Sequence, residues 1–216
     1  MATTCLIFDI DGTLVDTGIS NDTLYARAVH EVLGAVRIRA EWGDYEHVTD
    51  AGIFREICRE NGLELGLIEQ QARERLGALI SAYLSSGGLC RPIPGALAFW
   101  NRLRERASVE MGIATGGWGH TARMKLVSAG FAHSGVPLAS SDDAHARVEI
   151  MRRCREQLSP AASTVYFGDG EWDRAAAESL GWGFVGVGGR LQGKCPNWIA
   201  DFSSIEPLED RLVDVS

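Results

Sequence analysis

Along this chain, short unbroken apolar runs alternate with stretches of helical periodicity, and the runs all stop on the same kind of residue. Residues 5–10, 109–114, 165–167 and 184–187 are apolar throughout or nearly so, which is the pattern of strands buried on both faces. The first ends at Asp9-Ile10-Asp11-Gly12, the second at Thr115-Gly116-Gly117 and the third at Gly168-Asp169-Gly170. Between them, residues 96–106, 121–128, 148–157 and 172–180 carry helical spacing. Strands alternating with helices predict an α/β fold, a Rossmann-like parallel sheet flanked by helices. In such sheets ligands bind at the carboxyl ends of the strands, where these acidic and glycine-rich segments fall.

The interval between the first and second strands is too long for a single crossover. Residues 17–91 hold three further helical patterns, 21–33, 50–61 and 67–85, with Asp50 placed to N-cap the second and Gly62 to end it. Arg91-Pro92-Ile93-Pro94-Gly95 then breaks helix and restarts the strand-helix alternation. The expected organisation is a core of residues 1–16 and 92–216 carrying a small α-helical cap, 17–91, inserted after strand 1 over the carboxyl edge of the sheet. A chain of 216 residues suits one such core with its insert better than two independent domains. No internal repeat is present.

Composition narrows the function classes. A hydrophobic fraction of 45% excludes a disordered chain. Against 21 basic residues stand 29 acidic ones, a net charge of -8, which opposes a protein that works by neutralising nucleic-acid phosphates. No apolar stretch approaches the roughly 18 residues of a membrane span, and the first strand begins without a leader-like segment, so neither membrane insertion nor export is expected. The cysteines at 5, 58, 90, 154 and 195 stand singly, without metal-ligand or disulfide-framework spacing, which suits a reducing cytoplasm. Of the basic residues only Lys125 and Lys194 are lysines.

The strongest chemical signal is Asp9 with Asp11. Positions two apart at a strand end point to one side and set two carboxylates against one small volume. Such a pair needs a divalent cation, or one member protonated as an acid while the other ionises as a nucleophile. A plain Asp-Gly turn also uses these residues. Asp169 and Asp173 follow another apolar run and open a helix, offering oxygen ligands of the kind Mg²⁺ takes, although N-capping accounts for part of that preference. Thr115, with the amides of Gly116 and Gly117, offers donors to an anion.

Taken in order, Asp9-Ile10-Asp11-Gly12-Thr13-Leu14, Ile113-Ala114-Thr115 and Gly168-Asp169-Gly170-Glu171-Trp172-Asp173 resemble the motifs of the haloacid dehalogenase superfamily, in its phosphatase-like branch. The resemblance spans the chain. It implies that Asp9 attacks phosphorus to give an aspartyl-phosphate, that Asp11 protonates the leaving alcohol and then activates water, and that Thr115 and the Gly116 amide bind the phosphoryl oxygens. It also implies Mg²⁺ on Asp9, the Asp11 carbonyl and Asp169, with Asp173 either a direct ligand or one shell out. The family's basic residue, usually a lysine ahead of the Gly-Asp motif, is missing. Arg147 stands at that station, and Lys125 is its rival, expected to lie on a solvated helix face.

The expected activity is therefore Mg²⁺-dependent hydrolysis of a small phosphorylated metabolite, phosphoglycolate-like or sugar-phosphate-like, by a monomer or homodimer with no nucleic-acid or membrane partner. A phosphomutase of the β-phosphoglucomutase type uses the same core, and a non-catalytic phosphate-binding or signalling protein of the same fold is the alternative from another class. Substrate choice is expected from the mixed aromatic and polar segment 41–50, with Tyr45, His47 and Thr49, and from Trp118 beside the Thr115 loop. Asp16 is expected at the hinge of the insert, and Gly186-Val187-Gly188-Gly189 in a tight loop, since it lacks the spacing of a dinucleotide fingerprint.

Overall fold

The computed structural model describes residues 3–17 and 21–205. The elements run β1 (Thr4–Phe8), β2 (Val15–Asp16), α1 (Asn21–Leu33), α2 (Asp50–Glu60), α3 (Ile68–Ser85), β3 (Arg91–Pro92), α4 (Ala96–Arg104), β4 (Val109–Ala114) and α5 (Gly119–Ser128). They continue with β5 (Leu138–Ala139), α6 (Arg147–Glu156), β6 (Ser163–Gly168), α7 (Glu171–Ser179), β7 (Gly183–Val187) and β8 (Trp198–Ile199). The fold is the expected Rossmann-like α/β architecture. A six-stranded sheet in the order β5-β4-β1-β6-β7-β8 is parallel at every pairing, with β1 in the middle against β4 and β6.

Side-chain alternation along the strands explains why the runs are apolar throughout. Leu6 and Phe8 of β1 face one core, with Met111 and Ile113 of β4 and Val165 and Phe167 of β6, under α4 and α5. Cys5, Ile7 and Tyr166 face the other, under α6 and α7. Aromatic stacking fixes the first of these cores, where Phe8 lies 4.7 Å from Phe167 and the Phe167 ring meets Phe202 at 6.0 Å.

The helices α1 to α3 form a separate layer with its own apolar centre, built on Tyr25, Val29, Phe54, Ile57, Leu76 and Ile80. The chain leaves the sheet and returns to it on a two-residue antiparallel ribbon, with Val15 opposite Pro92 and Asp16 opposite Arg91. Asp16 thus stands where the chain leaves for the helical layer. β2, β3, β5 and β8 are too short to leave a periodic signal, and none was predicted. One cap was misplaced by a residue. Thr49, extended at φ -143, accepts from the Gly52 N–H, whereas Asp50 is already helical and turns its carboxylate to another partner. Among the described residues no helix is long and apolar enough to cross a membrane, and all five cysteines are free.

Gly95 opens α4 in the left-handed region at φ 76, and a Cβ there would sit within 2.6 Å of the Phe202 carbonyl oxygen. Gly95→Ala is expected to lose about 1–3 kcal/mol in urea unfolding. An unchanged midpoint would show that the α4 start and the 202–204 turn adjust freely.

Candidate active site

The middle of the sheet carries the charged residues. Asp9 continues β1 past its last ladder residue, its N–H bonded to the Phe167 carbonyl at 2.9 Å, and it is buried at 4% exposure. The chain then turns tightly, with the N–H groups of Leu14 and Val15 both donating to the Ile10 carbonyl. Gly12 makes this turn at φ 77, and a Cβ there would lie 2.7 Å from Asp169 Cγ. The missing side chain lets the acidic loop after β6 close onto the turn after β1. Carboxylate oxygens of Asp9, Asp169 and Asp173 consequently all fall within 4.8 Å of one another.

That much negative charge in one buried place needs compensation. Arg147, the first residue of α6, supplies it. Its Nη1 lies 2.8 Å from Asp173 Oδ1 and 3.5 Å from Asp9 Oδ1, while Nη2 donates to the Val48 carbonyl at 2.8 Å. Asp173 Oδ2 accepts from the Gly170 N–H at 3.0 Å, so this residue also caps α7 from within its first turn. Arg190 pairs with Asp169 at 3.1 Å. Burial, then the neighbouring Asp173, pushes both Asp9 and Asp169 upward, Asp169 to about 7. Burial works against the Arg147 charge, yet Asp173, Tyr166 and Asp9 hold its pKa above the ordinary value.

Asp11 has a different partner. The Lys125 Nζ donates to Asp11 Oδ2 at 2.7 Å, and the lysine side chain is only 2% exposed. Asp11 Oδ1 is buried and accepts no hydrogen bond among the described residues. The expectation of a solvated Lys125 is therefore wrong. Its signal was present in the sequence: Lys125 lies between Ala122 and Ala129 at helical spacing, on the face of α5 that packs into the core. Instead of one substituted basic residue, the site holds three cations, Arg147 on Asp9 and Asp173, Arg190 on Asp169 and Lys125 on Asp11.

Thr115 and Gly116 follow the last residue of β4, the neighbour of β1. Thr115 Oγ1 accepts from the Gly117 N–H at 3.2 Å, and the Gly116 carbonyl accepts from the Asp50 N–H at 2.7 Å and from the Ser141 hydroxyl. Asp50, the start of α2, is tied here twice, since its Oδ2 accepts from the Trp118 N–H at 2.9 Å. Nothing in the sequence marked Asp50 beyond capping. Burial pushes its carboxyl to about 7, against the opposing charge of Lys125.

Asp9, Asp11, Thr115, Gly116, Arg147 and Asp169 line one cavity of about 390 Å³, with Asp173 directly behind them. Of the residues expected to touch substrate, Thr49 lines this cavity, but three do not. Tyr45 is buried, its hydroxyl accepting from the Arg39 N–H. Trp118 is 1% exposed because the start of α5 inserts it between Tyr25 and Phe54 of the helical layer. His47 turns outward to His145, ring centres 5.2 Å apart. Trp42, Trp172 and Arg190 line the cavity in their place. The cluster's donors are all hard oxygens, and its mutually repelling buried carboxylates fit a divalent cation such as Mg²⁺.

A parallel sheet whose neighbouring strands deliver carboxylates and a hydroxyl to one cavity defines an α/β enzyme with its site at the carboxyl edge. The chain belongs to the haloacid dehalogenase-like hydrolases, whose family model matches residues 3–181. Similar solved structures include a hydrolase from Pseudomonas syringae, 18% identical over 99% of this chain and 100% of that one, with TM-score 0.75. CbbY from Rhodobacter sphaeroides, solved in complex with phosphate, is 19% identical over 95% and 97% with TM-score 0.68. A β-phosphoglucomutase from Clostridium difficile is 15% identical over 97% of each chain with TM-score 0.72. These likenesses establish the fold. No curated protein sequence matches.

Asp50 yields a pH prediction. A carboxyl whose folded pKa is raised binds its proton more tightly in the folded chain, so its contribution is fully present below the unfolded value near 3.8 and is lost as pH rises through about 7. Asp50→Asn keeps an acceptor for the Trp118 N–H without the charge. It is expected to match the parent in urea unfolding at pH 4 and to exceed it by a few kcal/mol at pH 8. A stability difference that does not change with pH would refute the raised pKa.

Proposed function

We propose that this protein is a Mg²⁺-dependent phosphatase that hydrolyses a small phosphate monoester through an aspartyl-phosphate on Asp9. The observation that carries the reading is the separate partnering of the two aspartates, Asp9 beside Arg147 and Asp11 on Lys125, at one cavity with the Thr115 loop. A substrate phosphoryl group enters between Asp9 and the Thr115 hydroxyl, with the Gly116 amide and the Arg147 guanidinium receiving its oxygens where charge gathers in the transition state. An Asp9 oxygen bonds to phosphorus as the bond to the alcohol oxygen breaks, and Asp11 gives its proton to that oxygen. Alcohol leaves. Asp11 then takes a proton from water, the water oxygen bonds to phosphorus, and the acyl-phosphate P–O bond breaks to release phosphate and restore the Asp9 carboxylate.

Lys125 donates to one oxygen of Asp11 and holds that carboxyl at the cavity. Asp9 and Asp169 would hold the Mg²⁺, with Asp173 behind them; when bound, the ion neutralises phosphoryl charge and separates the carboxylates. Hydrolysis is favoured over phosphoryl transfer between two positions of a sugar, because a mutase must hold a second phosphate. Among the described residues that line the cavity, those from α1 and α2 include no lysine, arginine or histidine. Free cysteines suit a reducing compartment such as the cytoplasm.

Phosphate release with Mg²⁺ is expected to vanish in Asp9→Asn, and retained turnover would overturn the mechanism. Lys125→Met is expected to lower kcat by at least about 10²-fold with little change in KM. A purely structural lysine would alter stability and leave kcat in the folded fraction intact.

A further inference from the structure

The cavity has two unlike walls. On the sheet side stand the phosphate-handling groups. Facing them are Tyr25, Trp42, Val48 and Ile53 from the helical layer, with Ile93 and Trp172 completing the ring. A volume of about 390 Å³ lies in the range of small-molecule sites and leaves room for an alcohol portion beyond the phosphoryl group.

The hydroxyls and the carboxylate of the helical wall already have partners. Tyr25 donates its hydroxyl to the Asp50 carbonyl at 2.6 Å. Thr49 donates to the His145 carbonyl at 2.6 Å and accepts from the Gly52 N–H at 3.0 Å, and Asp50 Oδ2 accepts from the Trp118 N–H. A polyol held against this wall would find the Tyr25 and Thr49 hydroxyl protons already engaged, and so few partners for its hydroxyls. Cations are equally scarce there. Among the described lining residues the only ones are Arg147, held by Asp9, Asp173 and the Val48 carbonyl, and Arg190, which pairs with Asp169 and lies over the Trp172 ring at 5.2 Å. A second anionic group would instead meet Asp16 and Asp50.

The aromatic faces are held in place from both sides. Trp42 packs edge-on against Tyr25, centres 5.6 Å apart at 87°, and stacks on Tyr45. Its neighbour Gly43 rests beside Trp172, where a Cβ would lie 3.8 Å from Cζ3. Rigid rings already positioned around a pocket bind a flat apolar group with little ordering cost.

We propose that the alcohol portion of the substrate is aromatic or otherwise apolar and carries no second anionic group, an inference that rests on the phosphatase reading for its chemistry but on this wall for its class. The test compares kcat/KM of the full chain with Mg²⁺ on three unactivated alkyl phosphates: benzyl phosphate, glucose 6-phosphate and phosphoglycolate. Calorimetry with the non-hydrolysable benzylphosphonate and 3-phosphonopropionate measures binding alone. Benzyl phosphate is expected to exceed both others at least about tenfold, and benzylphosphonate to bind about tenfold tighter than its anionic counterpart. Trp42→Ala should raise KM for benzyl phosphate about tenfold with kcat within about threefold, and Trp42→Phe should restore most of it. Preference for glucose 6-phosphate or phosphoglycolate, equal rates on all three, or indifference of KM to Trp42→Ala overturns the inference while leaving hydrolysis standing. Selective benzylphosphonate binding without turnover of any ester upholds the class and removes the phosphatase reading.

Discussion

Arg147 is the cation on which the charged edge of this sheet depends. Parallel strands all aim their carboxyl ends the same way, so β1 and β6 deliver Asp9, Asp169 and Asp173 to one buried volume. Buried carboxylates at this separation either lose their charge to protonation or meet a counter-charge. A guanidinium at the first turn of α6 reaches Asp173 and Asp9 through one nitrogen and the Val48 carbonyl through another. Its planar fork explains why arginine serves here: a single ammonium is a compact point charge without fixed, separated donor directions. The second cation, Lys125, is then free to belong to Asp11.

The same guanidinium joins the helical layer to the catalytic edge. Residues 48–51 make a short seam along the site, through the Val48 carbonyl on Arg147, the Thr49 hydroxyl on the His145 carbonyl, and the Asp50 N–H on the Gly116 carbonyl. The Trp118 N–H on Asp50 Oδ2 and the Ala51 N–H on the Ser141 hydroxyl extend it. Both walls of the cavity are therefore set relative to each other by hydrogen bonds that each engage a backbone group. Trp118 contributes from the sheet side by filling the core of the helical layer, which is why a residue close in sequence to Thr115 lies outside the cavity.

The elements legible in the sequence were those whose burial leaves a periodic trace. β1, β4, β6 and β7 are sandwiched between two cores and read as apolar runs, and α1 matched its pattern to the residue. The two-residue strands obey pairing geometry alone and write nothing into composition. Within the site, Asp9, Asp11, Thr115 and Asp169 were legible because strand ends and glycines mark where side chains must converge. Arg147 followed from its order along the chain. Lys125 reads as a surface charge on a helix until its neighbours Ala122, Leu126 and Ala129 place its face toward the core. Asp50, Trp42 and Trp172 meet the site through tertiary packing between distant segments, and no local pattern distinguishes them from capping or core residues.

The ribbon of Val15–Asp16 against Arg91–Pro92 carries one more consequence. Because the chain departs and returns at touching positions, everything between these strands is a graft on an otherwise uninterrupted sheet. The sheet keeps its charged edge, and any change in the graft has two short splice points and the 48–51 seam to preserve. The helical layer is one continuous stretch of sequence, and the rest of it can vary while the splice points and the seam keep the charged edge in its setting.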